Sequence, residues 1–352
     1  MRSLRRFALA LLTLALLAAP AAAHAATGFV TRSGTRLMLD GRPFRFDGVD
    51  YWYGAKCYPG TTGGAYNAGC NDNVMNTDLT ALDQQLPPGT PRVLRVWFLQ
   101  REVTLNGARS WAPFDHVLSI AAAHGYHVLP VLVDEWPFES ESPSTGLTGS
   151  NFYGGKYKTA VLNGDTVPYL QYVKQVTARY KSNRTVLAWQ VGNELQDGGT
   201  GTCPSSGAHS TLLSFTKNVV SAIRAADPNH LVNTGELYDS CGTGGTNFEN
   251  LENVGDLFET HTYPSPDAYA DPFPTPIAEI AGYAKRKTSR GSLVKWRHRS
   301  ASASPRAPAT TTRNSTPTTR TARPVSCRGT TTVPAHPAPS TKSTNSSPAT
   351  RY

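Results

Sequence analysis

"VLAWQVGNELQDG", residues 186–198, is the stretch on which the fold turns. It is an apolar run that stops at an amide and a carboxylate, Asn193 and Glu194, and then passes into a polar turn with glycine. A run that is apolar on both alternations suits a strand covered on both faces, as in a parallel sheet. Working outward, five more runs share this character: "FRFDGVDYW" (44–52), "VLRVWFL" (93–99), "HVLPVLVDEW" (127–136), "LVNTGELY" (231–238) and "DLFETHTYP" (256–264). Helical periodicity falls between or after them, at 76–85, 114–124, 167–182, 210–226 and 276–285, with Ser182-Asn183 and Asp227-Pro228 marking ends. Strands alternating with helices over this length predict a parallel α/β fold.

The polar residues choose between an open sheet and a closed barrel. Strand ends carry Asp50, Arg95, Asp134, Glu135, Asn193, Glu194, Glu236, His261 and Tyr263. Side chains of this kind at the C-terminal ends of many strands are what a (β/α)8 TIM barrel gathers around one mouth. A dinucleotide-binding sheet would carry GxGxxG after its first strand, and "FDGVDYWYG" does not. The opening "FVTRSGTRLMLDGRPF" predicts a hairpin turning at Asp40-Gly41 that closes the barrel floor. In a mouth walled by Trp97 and Trp189, Glu194 would have its pKa raised and could serve as a general acid. Asn193 could hydrogen-bond a hydroxyl, although strict alternation would turn it away from Glu194 unless the strand end bulges. Trp52, Trp97, Trp136 and Tyr51 could stack on sugar faces or simply fill the core.

These residues resemble a known family. "RVLRVWFL" with Arg95, "LAWQVGNE" with Asn193 and Glu194, and "ETHTYP" with His261 and Tyr263 look like strands 2, 4 and 6 of glycoside hydrolase family 5. "FVTRSGTRLMLDGRPFRFDGVDYWY" and "PNHLVNTGELY" look like the secreted endo-β-1,4-mannanases of that family, over residues 28–285. The resemblance implies Glu194 as acid/base and Asn193 as a contact to the sugar 2-hydroxyl. It further implies Arg95 holding a nucleophilic carboxylate, and His261 and Tyr263 positioning that carboxylate or the sugar. Trp52, Trp136 and Glu236 fall to substrate binding or support.

One departure is large. The family places its nucleophile, a glutamate, at the end of strand 7, and a retaining mechanism needs that carboxylate about 5–5.5 Å from the acid. Here "KRKTSRGSLVKWRHRSASASP" stands in its place, and no glutamate follows Glu279. The nucleophile is therefore unknown, strands 7 and 8 are not recognisable, and Arg95 is left facing a vacancy. The expectation is an incomplete barrel over 26–285 that acts on internal β-1,4 bonds of mannan by descent and is inactive as it stands. A β-1,4-glucanase of the same family, and a non-catalytic saccharide-binding relative or inactive fragment, remain open. An esterase is excluded by the lack of GxSxG and a zinc hydrolase by the lack of HExxH, so neither metal nor cofactor is expected.

The rest of the chain bears on location and partners. Arg2, Arg5 and Arg6 precede "FALALLTLALLAAP" and small residues at Ala23 and Ala25, which predicts a signal peptide over 1–25 and a secreted, extracellular protein with no membrane association after cleavage. In that setting Cys57 is expected to pair with Cys70 and Cys203 with Cys241, leaving Cys327 over. The net charge of +9 does not signal nucleic acid, because residues 27–284 hold 17 basic against 25 acidic residues while 285–352 hold 14 basic and none acidic. Residues 286–352 read as a disordered basic Ser/Thr/Pro-rich tail or a frameshifted segment. The expected partner is a β-linked polysaccharide, met by a monomer.

Overall fold

A computed structural model describes residues 28–58, 73–86, 88–105, 108–135, 151–161, 165–196, 206–236, 253–262 and 292–297. For 105, 206–209, 260–262 and 292–297 the description is of the backbone only. The chain enters through a three-stranded antiparallel sheet, β1 (Thr31–Ser33), β2 (Arg36–Leu39) and β3 (Arg42–Pro43). The β2–β3 turn pairs Leu39 with Arg42 across Asp40 and Gly41, whose φ values of 50° and 75° suit the two-residue turn that matches strand twist. This is the floor predicted from Asp40-Gly41. Val30, Leu37 and Phe44 pack there against Val93, Leu129, Leu187 and Leu257 at the bottom of the barrel interior.

Seven parallel strands follow. They are β4 (Asp47–Asp50), β5 (Arg92–Trp97), β8 (Tyr126–Val131), β9 (Ala188–Gln190), β10 (Leu231–Asn233), β11 (Leu257–Thr262) and β12 (Ser292–Arg297), hydrogen-bonded in that order. A small hairpin, β6 (Thr104–Leu105) and β7 (Ala108–Arg109), projects after β5. Alternation along β5 shows how the sheet divides its residues: Val93, Arg95 and Trp97 face the interior, whereas Leu94 and Val96 join the layer under the helices.

The helices are α1 (Val74–Asp83), α2 (Ala112–Ala123), α3 (Tyr169–Tyr180) and α4 (Ser206–Ala226). In α3 the buried positions Tyr169, Tyr172, Val173, Val176 and Tyr180 recur at helical spacing, and in α2 Phe114, Val117, Leu118 and Ala121 do the same. Burying a large apolar side chain is worth about 1.5–3 kcal/mol, so these stripes hold the helices to the sheet. Pro113 stands in the first turn of α2, where no amide is needed.

The sheet has one strand more than the six read from the sequence. β12 runs parallel to β11 over six residue pairs, from Leu257↔Ser292 to Thr262↔Arg297, and lies beyond residue 285, where the barrel was expected to stop. "SLVKWR" escaped recognition because Lys295 and Arg297 interrupt its apolar pattern. Among the described residues β4 and β12 are the sheet edges and do not pair, so the barrel is incomplete as expected. The expected signal, the helix at 276–285 and the tail after 297 lie outside the described residues. No described helix is long and apolar enough to cross a membrane.

Under the helices Asp227 anchors the α4–β10 turn. It accepts from Trp189 Nε1 at 2.7 Å and from the amides of Asn229 and His230, and its Oδ2 lies 2.6 Å from His230 Nδ1. Burial opposes its charge, but the hydrogen bonds from His230 and Trp189 outweigh that and hold the carboxyl below its usual range. Trp189 therefore faces the helix layer. It does not wall the mouth beside Glu194, because Gln190 takes the inward position on β9.

Candidate active site

Arg95 is the hub of the barrel interior. It projects inward from β5, 2% exposed, and spends each nitrogen: Nε donates to Gln190 Oε1 at 2.8 Å, Nη1 to Asp50 Oδ2 at 3.1 Å and Nη2 to Asn193 Oδ1 at 2.8 Å. Nε also lies 3.8 Å from Glu259 Oε1. The vacancy expected opposite Arg95 does not exist, because Asp50 and Glu259 supply the opposing charge. Gln190 relays the contact, donating from Nε2 to Glu259 Oε2 and to Asn233 Oδ1, each at 2.6 Å. The guanidinium also lies 4.5 Å from the Trp97 ring centre. Five strands, β4, β5, β9, β10 and β11, thus contribute to one polar layer above the apolar floor.

The second construction is a bulge at the end of β9. Gln190 pairs with Asn233 and Leu195 with Glu236, so five steps on this strand oppose three on its neighbour. Toward β8 the register is kept, with Val131↔Gln190 and Asp134↔Asn193. The extra residues break alternation and turn Asn193 inward, where its Oδ1 meets Arg95 and its Nδ2 donates to Asp134 Oδ1 at 2.9 Å. Glu194 takes the left-handed conformation, φ 52°, and is 3% exposed. The hydroxyl of Tyr169 caps the Val191 carbonyl freed by the irregular backbone.

Gly192 and Gly235 make this bulge possible. A Cβ on Gly235, where φ is 75°, would lie 1.9 Å from the Gly192 carbonyl oxygen, and one on Gly192 would lie 2.5 Å from Leu195 Cδ2. We expect Gly235→Ala to destabilise the fold by about 2–3 kcal/mol, because a side chain is placed both at positive φ and against backbone. Urea unfolding measures this. A change below about 0.5 kcal/mol would mean that the two strands separate there without cost.

The remaining predicted residues divide clearly. Asp134 accepts from Trp97 Nε1 at 3.0 Å and from Asn193, and Glu135 accepts from the Tyr153 hydroxyl. Glu236 is 2% exposed and accepts from Thr216 Oγ1 at 3.2 Å. Trp52 is half-buried against Trp97, Leu99 and Val131, with Lys56 Nζ 4.6 Å from its ring centre. Trp136, Tyr263 and the His261 side chain lie outside the described residues, although the His261 backbone sits in β11 opposite Trp296. Cys57 is buried, while Cys70, Cys203 and Cys241 are outside the description. Gln190, Asn233 and the contact of Glu259 to Arg95 were missed. Their one signal was a polar residue inside each apolar strand. No group of described His, Cys, Asp or Glu residues is arranged to hold a metal.

Chemically, the strand ends gather buried carboxylates, of which Glu259 faces Arg95 directly. Asp134, Glu135, Glu194, Glu236 and Glu259 are each at most 8% exposed. Asn193 is held by two partners, and an amide with two N–H groups and two lone pairs keeps one of each for a ligand. An incomplete (β/α)8 barrel with an Asn-Glu pair at the end of its fourth strand and an arginine on its second is the frame of a glycoside hydrolase.

The chain belongs to glycosyl hydrolase family 5: residues 103–295 match the family model for Cellulase (glycosyl hydrolase family 5). It is 28% identical over 224 residues to mannan endo-1,4-beta-mannosidase F of Aspergillus clavatus, covering 58% of this chain and 48% of that one. Mannan endo-1,4-beta-mannosidase A of Hypocrea jecorina is 25% identical over 240 residues, covering 62% and 48%. The chain thus spans about half the length of these curated relatives. Among solved structures, the endo-beta-1,4-mannanase of Thermotoga petrophila superposes with a TM-score of 0.53 at 20% identity, over 75% of this chain and 63% of that one. The endo-1,4-beta-mannanase of Rhizomucor miehei gives 0.50 at 20%, over 67% and 72%. At these identities the superpositions carry the fold alone.

Proposed function

We propose that this chain presents a retaining glycosidase mouth for β-1,4-linked mannan, with Glu194 as acid/base and Asn193 as the contact to the sugar 2-hydroxyl. The observation that carries the reading is the bulged end of β9, which buries Glu194 and fixes Asn193 between Arg95 and Asp134. In the forward step Glu194 would protonate the glycosidic oxygen while a second carboxylate attacks the anomeric carbon. β12 stands seventh in the sheet and carries "SLVKWR", with no carboxylate. Glu259 and Glu236 are 1% and 2% exposed and engaged by Gln190 and Thr216, so we assign neither as nucleophile. Cleavage is accordingly weak in our reading, and β12 favours a second one: a saccharide-binding barrel that no longer hydrolyses.

Mannan is preferred over cellulose because the curated relatives above are mannan endo-1,4-beta-mannosidases. Titration of the full chain with mannohexaose and cellohexaose tests the mouth. Mannohexaose is expected to bind at least about tenfold more tightly, and Asn193→Ala to weaken it by about tenfold through loss of one buried hydrogen-bonding group. Equal binding of both sugars, or no effect of Asn193→Ala, would overturn the assignment. We further propose that the mature chain is secreted as a monomer with pairs Cys57–Cys70 and Cys203–Cys241. Support comes from the sequence of 1–25 and from Cys57, which takes part in a disulfide.

A further inference from the structure

Four buried side chains, two on β5 and one just beyond each of β8 and β9, form a chain whose hydrogen bonds can run in one direction only. Arg95 can only donate and an ionised carboxylate can only accept, so an amide placed between them cannot turn over. Asn193 is placed in this way: its Oδ1 accepts from Arg95 Nη2 at 2.8 Å and its Nδ2 donates to Asp134 Oδ1 at 2.9 Å. The other oxygen of Asp134 accepts from Trp97 Nε1 at 3.0 Å, and the Trp97 ring centre lies 4.5 Å from the Arg95 guanidinium carbon. The backbone reinforces the pair. Asp134 and Asn193 stand opposite each other, with the Asn193 amide on the Val133 carbonyl at 2.8 Å and the Glu135 amide on the Asn193 carbonyl at 3.2 Å. Gln190, the other amide on Arg95, gives Nε2 to both Asn233 and Glu259 and has no hydrogen left for a ligand. Asn193, among the described residues, keeps one hydrogen and one lone pair.

We propose that Asp134 is a positioning residue that sets the preference of the mouth between hexoses differing only at C2. This rests on the reading of Asn193 as the contact to the sugar 2-hydroxyl. A 2-hydroxyl can donate and accept whether it is axial, as in mannose, or equatorial, as in glucose, so hydrogen-bonding capacity does not tell the two apart. Direction does. The contact from Arg95 alone fixes one atom of the amide, and the group could still swing about that point to follow either hydroxyl. The second contact, to Asp134, fixes the amide plane, so the remaining hydrogen and lone pair point one way before a sugar arrives. An amide held beforehand also loses no rotamer freedom on binding. Asp134 itself meets no sugar, because it is 4% exposed and both of its oxygens face protein donors. It acts through Asn193.

The test is calorimetric titration of the full chain with mannohexaose and cellohexaose, for the parent, Asp134→Ala, Asn193→Ala and the double variant. Asp134→Ala is expected to weaken mannohexaose by about tenfold while cellohexaose changes by less than about twofold, so that the preference is lost. The double variant is expected to bind mannohexaose no more weakly than Asn193→Ala, because the amide that Asp134 holds is gone. A carboxylate that only supported the fold would weaken both sugars alike, and its effect would add to that of Asn193→Ala. Either result overturns the proposal, as does unchanged binding by a folded Asp134→Ala chain. Thermal unfolding of each variant establishes the fold. Where Asp134→Ala does not unfold cooperatively, the nearly isosteric Asp134→Asn is read in its place. It offers one oxygen to two donors, so a loss of mannohexaose preference of at least about threefold is expected, and a smaller change overturns the proposal. If Asn193→Ala leaves mannohexaose binding unchanged, the reading of the mouth fails and this inference with it. An effective Asn193→Ala beside an inert Asp134→Ala overturns this inference alone.

Discussion

Reducing ends should be released from β-mannan by the chain as it stands about 10⁴-fold more slowly than by a family member with both carboxylates, since acid and nucleophile act as a unit. For the same reason Glu194→Gln should lower that residual rate by no more than a few-fold, although in a complete site general acid catalysis is worth roughly 10²- to 10⁴-fold. β12 carries no Asp or Glu, and Glu259 has its oxygens turned to Gln190 and Arg95. Galactomannan hydrolysis followed by reducing-sugar assay, for the parent and for Glu194→Gln, measures both quantities. Rates near those of a two-carboxylate enzyme, falling steeply on Glu194→Gln, would assign the nucleophile to Glu259 or Glu236 instead.

Replacing Arg95 by methionine should cost about 3–5 kcal/mol of folding stability, the usual result of removing one partner from a buried ion pair. The methionine fills most of the arginine's volume, so the loss comes from what is left behind. Asp50 and Glu259 lose their opposing charge, Gln190 loses a donor to Oε1, and Asn193 loses the contact that turns it inward. Adding Glu259→Gln to the same chain should recover part of the loss, because the uncompensated charge is then gone. Urea unfolding of the two single variants and the double variant gives the coupling. Effects that add within about 0.5 kcal/mol would mean that the 3.8 Å approach of Arg95 and Glu259 carries no interaction of its own.

Much of this architecture was legible in the sequence. The apolar runs at 93–99 and 127–136 became β5 and β8, and the helical patterns at 114–124 and 167–182 became α2 and α3 within a few residues. These elements bury one continuous face, so their periodicity survives any detail of packing. The run at 186–194 yielded only three residues of regular strand, because the bulge begins at Val191. A bulge depends on close backbone approach at Gly192 and Gly235, which no single-strand pattern reveals. Asn193, Arg95 and Asp134 were each singled out and do converge. Gln190 and Asn233 were not, since one amide within an apolar run leaves the run intact, and only the barrel shows that such amides stack in one layer. β12 was hidden by its own charges, and its place beside β11 is a long-range fact of pairing.

The left-handed backbone at Glu194 has a further meaning for how this sequence can drift. A glutamate at positive φ carries a conformational penalty of about 1 kcal/mol that glycine escapes. By stability alone, then, substitution at this codon is downhill, and the carboxyl group opposes the relaxation of the very loop that presents it. Lineages that stop using the mouth are free to shed that strain, so glycine or asparagine at position 194 in a relative would mark a barrel released from its chemistry while its scaffold persists.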